Sequence, residues 1–411
     1  MAFVWLATFG EVVGRSSLRS ITAVRLSAPA RPAAIVGTAT ILRRPHLRQK
    51  QRADRLKAMS IPTEPIGSIP RPLRLIDALG VHSASDALLD PLYDEAVRDT
   101  IRCFEATGSP VVTDGEQRKY HNFWTYCVHG MPNLAQDGFR IPFAAGHTRR
   151  MPRLTAGPFR YQRYADSYLQ VALRYARVPV KQAVISPSAL SLLYPEQEIS
   201  GYSREQFIDD LLREHETEVR NCLRLGAHKV QIDFTEGRLA VKLDPSGALL
   251  HSFIHLNNLA LSRFCEDDRR RIGIHTCPGG DRDSTHSADV DYADLLPSLF
   301  QLKAGNFYVA LAGEKDRLRV LRIIAQHLKP DQRVFVGVVA PIDPRIETAQ
   351  EVRDLVLQAA EHIPIDQLGT TDDCGFAPFC DDTSTSRDTA FAKICARVEG
   401  TAMAAQQLGV V

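Results

Sequence analysis

The sequence lacks the features that would place it in a membrane, in a disulfide-rich scaffold or among the repeat proteins. No apolar run approaches the roughly 20 residues that a helix needs to span a bilayer. None of the eight cysteines forms a CxxC pair, and their spacing fits no compact disulfide framework. No internal repeat or low-complexity tract is present. We therefore expect an intracellular globular protein with reduced thiols.

Acidic residues are nearly missing from the start of the chain. Residues 1–58 hold 11 Lys and Arg but only two acidic residues, Glu11 and Asp54. This composition is typical of an organelle transit peptide, and an over-extended gene start with the protein beginning at Met59 explains it equally well. We expect a cytoplasmic location, or a mitochondrial one if the leader is genuine.

The rest of the chain is acidic. Residues 59–411 carry 39 basic and 46 acidic residues, a net charge of −7. Nucleic acid is therefore not an expected partner, and neither is a membrane. Small molecules are the expected partners, whereas the oligomeric state is not indicated. With 44% hydrophobic and 24% charged residues the composition is that of a globular protein, and we expect residues 59–411 to form a single domain.

Short apolar runs alternate with longer amphipathic stretches from residue 60 onward. The runs are residues 64–69, 110–116, 181–186, 228–234, 271–277, 306–312, 333–339 and 368–375. Residues 203–226 and 348–363 show apolar positions at helical spacing. The alternation predicts an α/β fold with parallel strands and outer helices, and eight repeats predict a (β/α)8 TIM barrel. Residues 117–178 are predicted to be an insertion between strands 2 and 3 that covers the rim, with basic residues that could contact an anionic substrate.

Polar groups follow the carboxyl ends of seven of the eight runs. They are Ser68, Glu116, Ser186, Asp233, His275 with Cys277, Asp343 and Cys374. Barrel enzymes assemble their active sites from this rim, whereas an open doubly wound sheet would concentrate such groups at one or two switch points. The distribution favours the barrel.

The fifth run ends in His-Thr-Cys, and this pattern indicates a metal site. His275 and Cys277 are two residues apart, so in a strand both side chains point to the same face. Cys374, before a glycine at the end of the eighth run, would lie across the barrel mouth from them. Two thiolates and one imidazole suit Zn²⁺, and three protein ligands with one open position are typical of a catalytic zinc site. Each residue alone is more often a packing residue, but the combination favours a site that holds a substrate thiol as its thiolate.

The remaining rim groups have two interpretations. Glu116 and Asp233 could bind a substrate amino group, but helix caps or loop salt bridges explain them equally well. Ser68 follows a glycine in a tight turn, where a purely backbone role is just as consistent with the sequence.

Five segments resemble a known enzyme family. PIGSIPRP, VVTDGEQRK, KVQIDF, HTC and DDCG, in this order, are similar to the catalytic barrel of cobalamin-independent methionine synthase. The resemblance covers nearly everything after the basic leader. It implies a zinc site at His275, Cys277 and Cys374, and homocysteine contacts at Ser68, Glu116 and Asp233. The activity it implies is methyl transfer from a methyltetrahydrofolate polyglutamate to the thiol of homocysteine, which gives methionine.

The chain departs from this family at several positions. Ala310 or Ala312 stands where the family has a fourth zinc ligand, a glutamate, and Glu314 is the nearby candidate for that role. The family's proton-donating histidine is replaced by PIDPR, where Asp343 can be the general acid if burial raises its pKa. The folate-contacting tryptophan has no clear counterpart, although Tyr194 lies near. The full-length family enzyme has two barrels, and this chain corresponds to the second.

Three functions follow from these observations. The first is a single-barrel, zinc-dependent methyltransferase of the methionine-synthase type, with Asp343 assisting departure of the leaving group. The second keeps the metal and changes the electrophile, as in epoxyalkane:coenzyme M transferases, which share the His-x-Cys…Cys site. The third is a noncatalytic relative that binds a thiol or a folate.

Overall fold

The computed structural model describes residues 60–80, 86–119, 122–144, 146, 148–280 and 284–410. The basic leader, residues 1–58, for which a transit peptide or an over-extended start was predicted, lies outside these residues. Within the described ranges, no helix combines the length and the apolar character that crossing a membrane requires.

Helices and strands alternate along most of the described chain. The α-helices are α1 (Leu73–Gly80), α2 (Asp86–Ala106), α3 (Asp166–Tyr175), α4 (Pro187–Ser191), α5 (Arg204–Leu225), α6 (Glu236–Leu243), α7 (Ala248–Leu261), α8 (Glu266–Arg269), α9 (Leu296–Leu299), α10 (Arg317–His327), α11 (Ala349–Ala360) and α12 (Arg387–Gln407). The strands are β1 (Leu134–Ala135), β2 (Arg140–Pro142), β3 (Thr148–Arg150), β4 (Arg153–Leu154), β5 (Gln182–Ile185), β6 (Val230–Asp233), β7 (Ile272–Thr276), β8 (Asn306–Val309), β9 (Arg333–Val339) and β10 (Leu368–Asp372).

A six-stranded parallel sheet organises the molecule. Its strand order is β10-β9-β8-β7-β6-β5, so strands that follow one another in the chain are neighbours in the sheet. The last six predicted runs correspond to these six strands, and the predicted α/β fold with a parallel sheet is confirmed. Between residues 117 and 178 the short strands pair separately, β1 with β4 and β2 with β3, both antiparallel.

The first two predicted runs contact the ends of this sheet through single bridges. Thr63 pairs in parallel with Thr370 of β10, and Val112 pairs in parallel with Val180, just before β5. Around the second bridge, the N–H of Lys181 donates to the carbonyl of Val112 at 2.8 Å. Neither run forms a full strand, so neither is counted in the six-stranded sheet.

Local sequence accounts for the ends of the long helices. Ser203 and Gln206 form a capping box at the start of α5, and Gly226 ends that helix with a φ of 97°. Thr348 and Glu351 form the corresponding box before α11. Helices were predicted at both places from their apolar spacing, and both predictions are confirmed.

The sheet is buried on both faces. Every residue of β5, β6, β7, β8 and β10 is buried, as expected for parallel strands covered by helices. Because all six strands run in the same direction, their carboxyl ends lie along one side of the sheet, here called the carboxyl edge. Polar groups that follow the strands are therefore brought together at that edge.

Candidate active site

His275, Cys277 and Cys374 meet at the carboxyl edge of the sheet. His275 lies in β7, Cys277 follows that strand directly, and Cys374 follows β10. All three are buried, and their ligand atoms lie within 4.8 Å of one another. The Sγ atoms of Cys277 and Cys374 are 2.6 Å apart. The three residues predicted as metal ligands thus form one group, here called the thiol cluster.

The donor atoms of the thiol cluster fit a soft divalent metal. Both ring nitrogens of His275 are buried, and neither has a hydrogen-bond partner among the described residues. Buried polar atoms are rarely left in this state. A coordinate bond would satisfy one of these nitrogens, and two sulfurs with one imidazole nitrogen are ligands that zinc prefers.

The thiol cluster also favours a thiolate. Burial raises the pKa of a thiol, but contact with Cys374 and the charge of His275 together bring the pKa of Cys277 well below its usual value. Burial and the neighbouring Cys277 raise the pKa of Cys374. Burial lowers the pKa of His275, and the Cys277 thiolate more than offsets this, so the net shift is upward. One cysteine of the pair is therefore ready to act as an anionic ligand.

Two buried carboxyl groups line the same cleft as the thiol cluster. Asp233, the last residue of β6, is in register with His275 of β7. Burial, together with the charge of Glu116, raises the pKa of Asp233 to about 6. Lys119 balances one of the two charges, since its Nζ lies 3.0 Å from Glu116 Oε1. One ammonium group beside two carboxyl groups leaves this end of the cleft suited to a further cation.

Glu116 has an uncommon backbone conformation. Its φ is 57°, and Gly115 before it has a φ of 68°. Arg71 holds this turn, because its Nη2 donates to the carbonyl oxygens of Glu116, at 2.9 Å, and Lys119, at 2.8 Å. The N–H of Glu116 donates to Asp114 Oδ1 at 2.9 Å. A non-glycine residue held at positive φ costs energy, and such residues are concentrated at functional sites.

Ser68 lines the cleft beside the loop that carries Cys374. Its carbonyl oxygen accepts from the N–H of Phe376 at 2.9 Å, and its Oγ accepts from the N–H of Ala377 at 3.3 Å. A Cβ atom on Gly375 would overlap Ser68 Oγ. Ser68 therefore packs tightly against the loop after β10 and also faces the cleft.

The structure does not bring Glu314 into the thiol cluster. Glu314 Oε1 accepts from Nη1 of Arg238 at 2.7 Å, and this guanidinium is fully buried. A buried arginine needs a charged partner, and this ion pair holds the carboxylate away from the sulfur atoms. Ala310 instead packs against Cys277 and Cys374.

Asp343, the predicted general acid, lies outside the cleft. It follows β9 in a turn where its Oδ1 accepts from the N–H of Arg345 at 2.9 Å, and its side chain is 42% exposed. The burial on which the predicted role depended is absent, because this turn faces solvent. Tyr194 does not line the cleft either; it is buried, and its hydroxyl donates to the carbonyl of Tyr202 at 2.8 Å.

The cleft holds about 760 Å³ of empty space, part of which is open solvent. Residues 117–178 contribute an apolar wall to it. Its members are Phe123, Trp124, Ile141, Phe143 and Met151. The ring centroids of Trp124 and Phe379 are 5.5 Å apart, and those of Phe143 and Phe379 are 6.0 Å apart. The described residues by which this segment lines the cleft are therefore apolar rather than basic, and they keep water from the buried charges.

Two titratable cleft residues were not singled out in the sequence. Glu236 stands three residues after Asp233, in the first turn of α6, and burial raises its pKa to about 7. His286 lies in the loop after β7, and burial lowers its pKa to about 4. An acidic residue at the start of a helix is ordinary, and a histidine in a loop carries no pattern. Only the position of Glu236 near the carboxyl end of a strand indicated a role.

Known proteins share this fold and resemble this sequence at low identity. Methionine synthases from the archaea Sulfurisphaera tokodaii and Saccharolobus solfataricus are 23% and 21% identical to the chain; each match covers 85% of the chain, and 94% and 96% of those proteins. A solved B12-independent methionine synthase from Shewanella sp. W3-18-1, in complex with selenomethionine, superimposes with a TM-score of 0.66 at 18% identity, over 85% of this chain and 99% of that one.

The family assignment rests on a match to a family model. Residues 61–387 correspond to the family described as the cobalamin-independent synthase catalytic domain, and this range contains the thiol cluster, Ser68, Glu116, Asp233 and Glu236. The chain therefore belongs to the cobalamin-independent synthase catalytic-domain family.

Proposed function

We propose that this protein is a zinc-dependent methyltransferase that moves a methyl group from 5-methyltetrahydrofolate polyglutamate to the thiol of homocysteine, giving methionine. The observation that carries the proposal is that the thiol cluster and two buried carboxyl groups line one cleft. The similar proteins named methionine synthase support it. An amino acid that carries a thiol matches both groups of side chains at once.

His275, Cys277 and Cys374 would hold the zinc ion. Bound there, zinc lowers the pKa of a thiol that it binds and so supplies the acceptor as its thiolate near neutral pH. The protein's own residues exclude water from this end of the cleft, since all three ligands are buried below the apolar wall.

Glu116 and Asp233 would bind the amino group of homocysteine. Each can accept a hydrogen bond from an ammonium group, and charge-assisted hydrogen bonds of this kind are stronger than neutral ones. A bound ammonium would favour the ionised form of Asp233, whose pKa is about 6 without it. Ser68, beside the loop of Cys374, is placed to contact the same substrate.

The architecture that presents these groups is proposed to be a closed (β/α)8 barrel over residues 59–411. The bridges at Thr63 and Val112 support this, because they extend the six-stranded sheet at both edges. The two added segments also contact each other, since the N–H of Ile69 donates to the carbonyl of Gly115 at 3.1 Å. Residues 117–178 would then be an insertion between barrel strands 2 and 3.

The proposal is tested on the purified, reduced full-length chain. Zinc is measured by elemental analysis, and methionine is measured after incubation with homocysteine and 5-methyltetrahydropteroyl triglutamate. We expect about one zinc per chain and methionine formation, both lost in Cys277→Ser. Cys222→Ser is the matched control, because Cys222 is also a buried free cysteine but lies on α5, away from the cleft.

Three results would contradict the proposal. Methionine formation by Cys277→Ser at the wild-type rate would remove the thiol cluster from the mechanism. Thioether formation from coenzyme M and an epoxide, without methionine formation, would show that the second substrate is an epoxide and not a methyl donor. Bound zinc with no product from either pair of substrates would favour a noncatalytic thiol-binding protein.

A further inference from the structure

A second polar group stands in the cleft apart from the thiol cluster and its two carboxylates. Glu236 is 6% exposed and lines the cleft from the first turn of α6. Its Oε1 accepts hydrogen bonds from the hydroxyl groups of Ser186 and Ser188. Its Oε2 is buried and has no hydrogen-bond partner among the described residues. A buried carboxyl oxygen without a partner is costly, so its retention in a cleft wall points to a ligand.

The hydrogen bonds around Ser186 and Ser188 have a fixed direction. Ser186 Oγ accepts from the N–H of Ala189 at 3.0 Å, and Ser188 Oγ accepts from Nδ2 of Asn257 at 2.7 Å. Because each hydroxyl oxygen already accepts a hydrogen bond, each hydroxyl hydrogen can be donated to Glu236. Both donate to Oε1. The network therefore holds the carboxyl group in place and leaves Oε2 as its free atom.

The surroundings of Glu236 favour its neutral form. Three apolar residues near the network in the chain, Ile185, Ala189 and Leu239, line the cleft, and Thr235 beside Glu236 lines it as well. Burial raises the pKa of Glu236 to about 7, the two serine hydroxyls oppose this rise, and the charge of Asp233 adds to it. A carboxyl group of this kind carries a proton in a large fraction of molecules near neutral pH, as a general acid must.

We propose that Glu236 is the catalytic acid of the methyl transfer and that Oε2 donates its proton to the leaving nitrogen of the methyl donor. The inference rests on the proposed function. In the step, the thiolate sulfur forms a bond to the methyl carbon, and the carbon–nitrogen bond of the donor breaks. The electron pair of that bond stays on nitrogen, which takes the proton from Glu236 Oε2 and leaves as a neutral amine. Glu236 becomes a carboxylate that Ser186 and Ser188 stabilise. This is the role that the sequence assigned to Asp343.

The nature of the leaving group provides the test. The nitrogen of the folate donor leaves poorly unless it is protonated. The trimethylsulfonium ion instead releases dimethyl sulfide, a neutral molecule that needs no proton. We expect Glu236→Gln to reduce methionine formation from 5-methyltetrahydropteroyl triglutamate by about 100-fold or more. Methylation of homocysteine by trimethylsulfonium should change by less than about threefold, since the amide keeps the shape of the side chain.

Chemical rescue gives an independent measurement. In Glu236→Ala, added acetate should restore at least about a tenth of the lost rate with the folate donor, because a small acid can occupy the vacated space. This rescue decides the case even if the wild-type protein does not accept trimethylsulfonium. Glu218→Gln is the matched control, since Glu218 is another fully buried glutamate with a pKa raised to about 7 that does not line the cleft. The rate of methionine formation by Glu218→Gln should stay within about threefold of the wild-type rate.

The outcomes separate this inference from the proposed function. Wild-type methionine formation together with full activity of Glu236→Gln overturns the role of Glu236 alone. Equal losses with both donors, or no rescue of Glu236→Ala, also overturn it and indicate a structural role. A wild-type protein that methylates homocysteine with neither donor overturns the proposed function, and the inference with it.

Discussion

Buried carboxyl groups occur at both ends of the sheet, but they differ in the number of their charged partners. At the amino ends of the strands, Glu64 is surrounded by partners. It accepts from Lys229 Nζ at 2.5 Å and from the Tyr308 hydroxyl at 2.6 Å, and His228 Nε2 lies 3.4 Å away. Lys181 Nζ is 3.8 Å from the same carboxylate and 3.9 Å from the centre of the Tyr308 ring. These five residues form the amino-end cluster.

At the carboxyl edge, three buried polar atoms have no hydrogen-bond partner in the part of the chain that the structure describes. Both nitrogens of His275 and Oε2 of Glu236 have no hydrogen bond among the described residues. At the amino-end cluster, burial raises the pKa of Glu64, but His228 and the two lysines outweigh it and bring the pKa below its ordinary value. At the carboxyl edge, burial prevails, and the pKa values of Asp233 and Glu236 rise to about 6 and about 7.

The difference indicates which cluster serves the fold and which serves a ligand. A buried charge with several partners is satisfied in the folded chain and has nothing left to offer a substrate. A buried group without partners raises the free energy of the folded protein, and binding of a ligand can recover that free energy. We therefore expect substitutions at the amino-end cluster to affect stability, and substitutions at the carboxyl edge to affect metal and substrate binding.

The largest expected effect is at Cys374. We expect Cys374→Ser to lose bound zinc and all measurable methionine formation, because one of three metal ligands is gone. The circular dichroism spectrum and the midpoint of urea unfolding of the zinc-free protein should match those of zinc-free wild type. A variant that keeps one zinc per chain would show that β7 and β10 do not share a metal. A variant that fails to fold would show that the cluster serves the structure.

Glu64→Gln tests the amino-end cluster, where stability rather than metal binding is expected to change. The substitution leaves Lys229 and Lys181 buried without an anion, so the free energy of unfolding should fall by about 3–5 kcal/mol. The folded-state pKa of Glu64 is below its ordinary value of 4.5, so its stabilisation is complete above about pH 4.5 and is lost as the pH falls further. Urea unfolding at pH 7 and pH 4 measures both effects. Zinc content per folded chain should not change. A loss of zinc would show that metal binding at the carboxyl edge depends on the amino-end cluster.

Glu218 sharpens the comparison, because its Oε2 is also buried without a partner but the residue does not line the cleft. Burial raises its pKa from 4.5 to about 7, so the folded protein holds this proton more tightly than the unfolded chain. Stability should therefore fall as the pH rises from about 4.5 to 7 and stay constant above that range. Glu218→Gln removes this dependence, and the variant should gain up to about 3 kcal/mol relative to wild type between pH 5 and pH 8. Equal pH slopes in the two proteins, measured by urea unfolding, would contradict this assignment.

The smallest expected effect is on substrate affinity at Asp233. Asp233→Asn removes a charged acceptor from the amino group of homocysteine, and the KM for homocysteine should rise about 10- to 100-fold. The amino-free analogue 4-mercaptobutanoate should show the same KM with both proteins, since it has no ammonium group to lose. An equal rise for both thiols would mean that Asp233 supports the cleft rather than binding the amino group.

Much of this site could be predicted from the sequence pattern, because strand ends are local features. His275, Cys277 and Cys374 could be proposed together since each follows an apolar run, and parallel strands align their carboxyl ends. Glu314 and Asp343 were proposed because they stand near positions where the resembled family has a fourth zinc ligand and a proton donor, and the structure does not bring either to the thiol cluster. A single strand position cannot indicate that Arg238 draws Glu314 away or that the turn of Asp343 faces solvent.

The sequence by itself determined the α/β class, the six strands of the sheet, the two capped helices and the cysteine–histidine pattern, because all of these depend on periodicity and local hydrogen bonding. Only the tertiary structure decided which polar atoms remain without partners. The role of Glu236 depends on serines 48 and 50 residues away in the chain, and on an asparagine from another helix. The apolar wall likewise comes from a segment whose sequence suggested basic contacts. Such properties arise from packing between distant segments, and no local pattern records them.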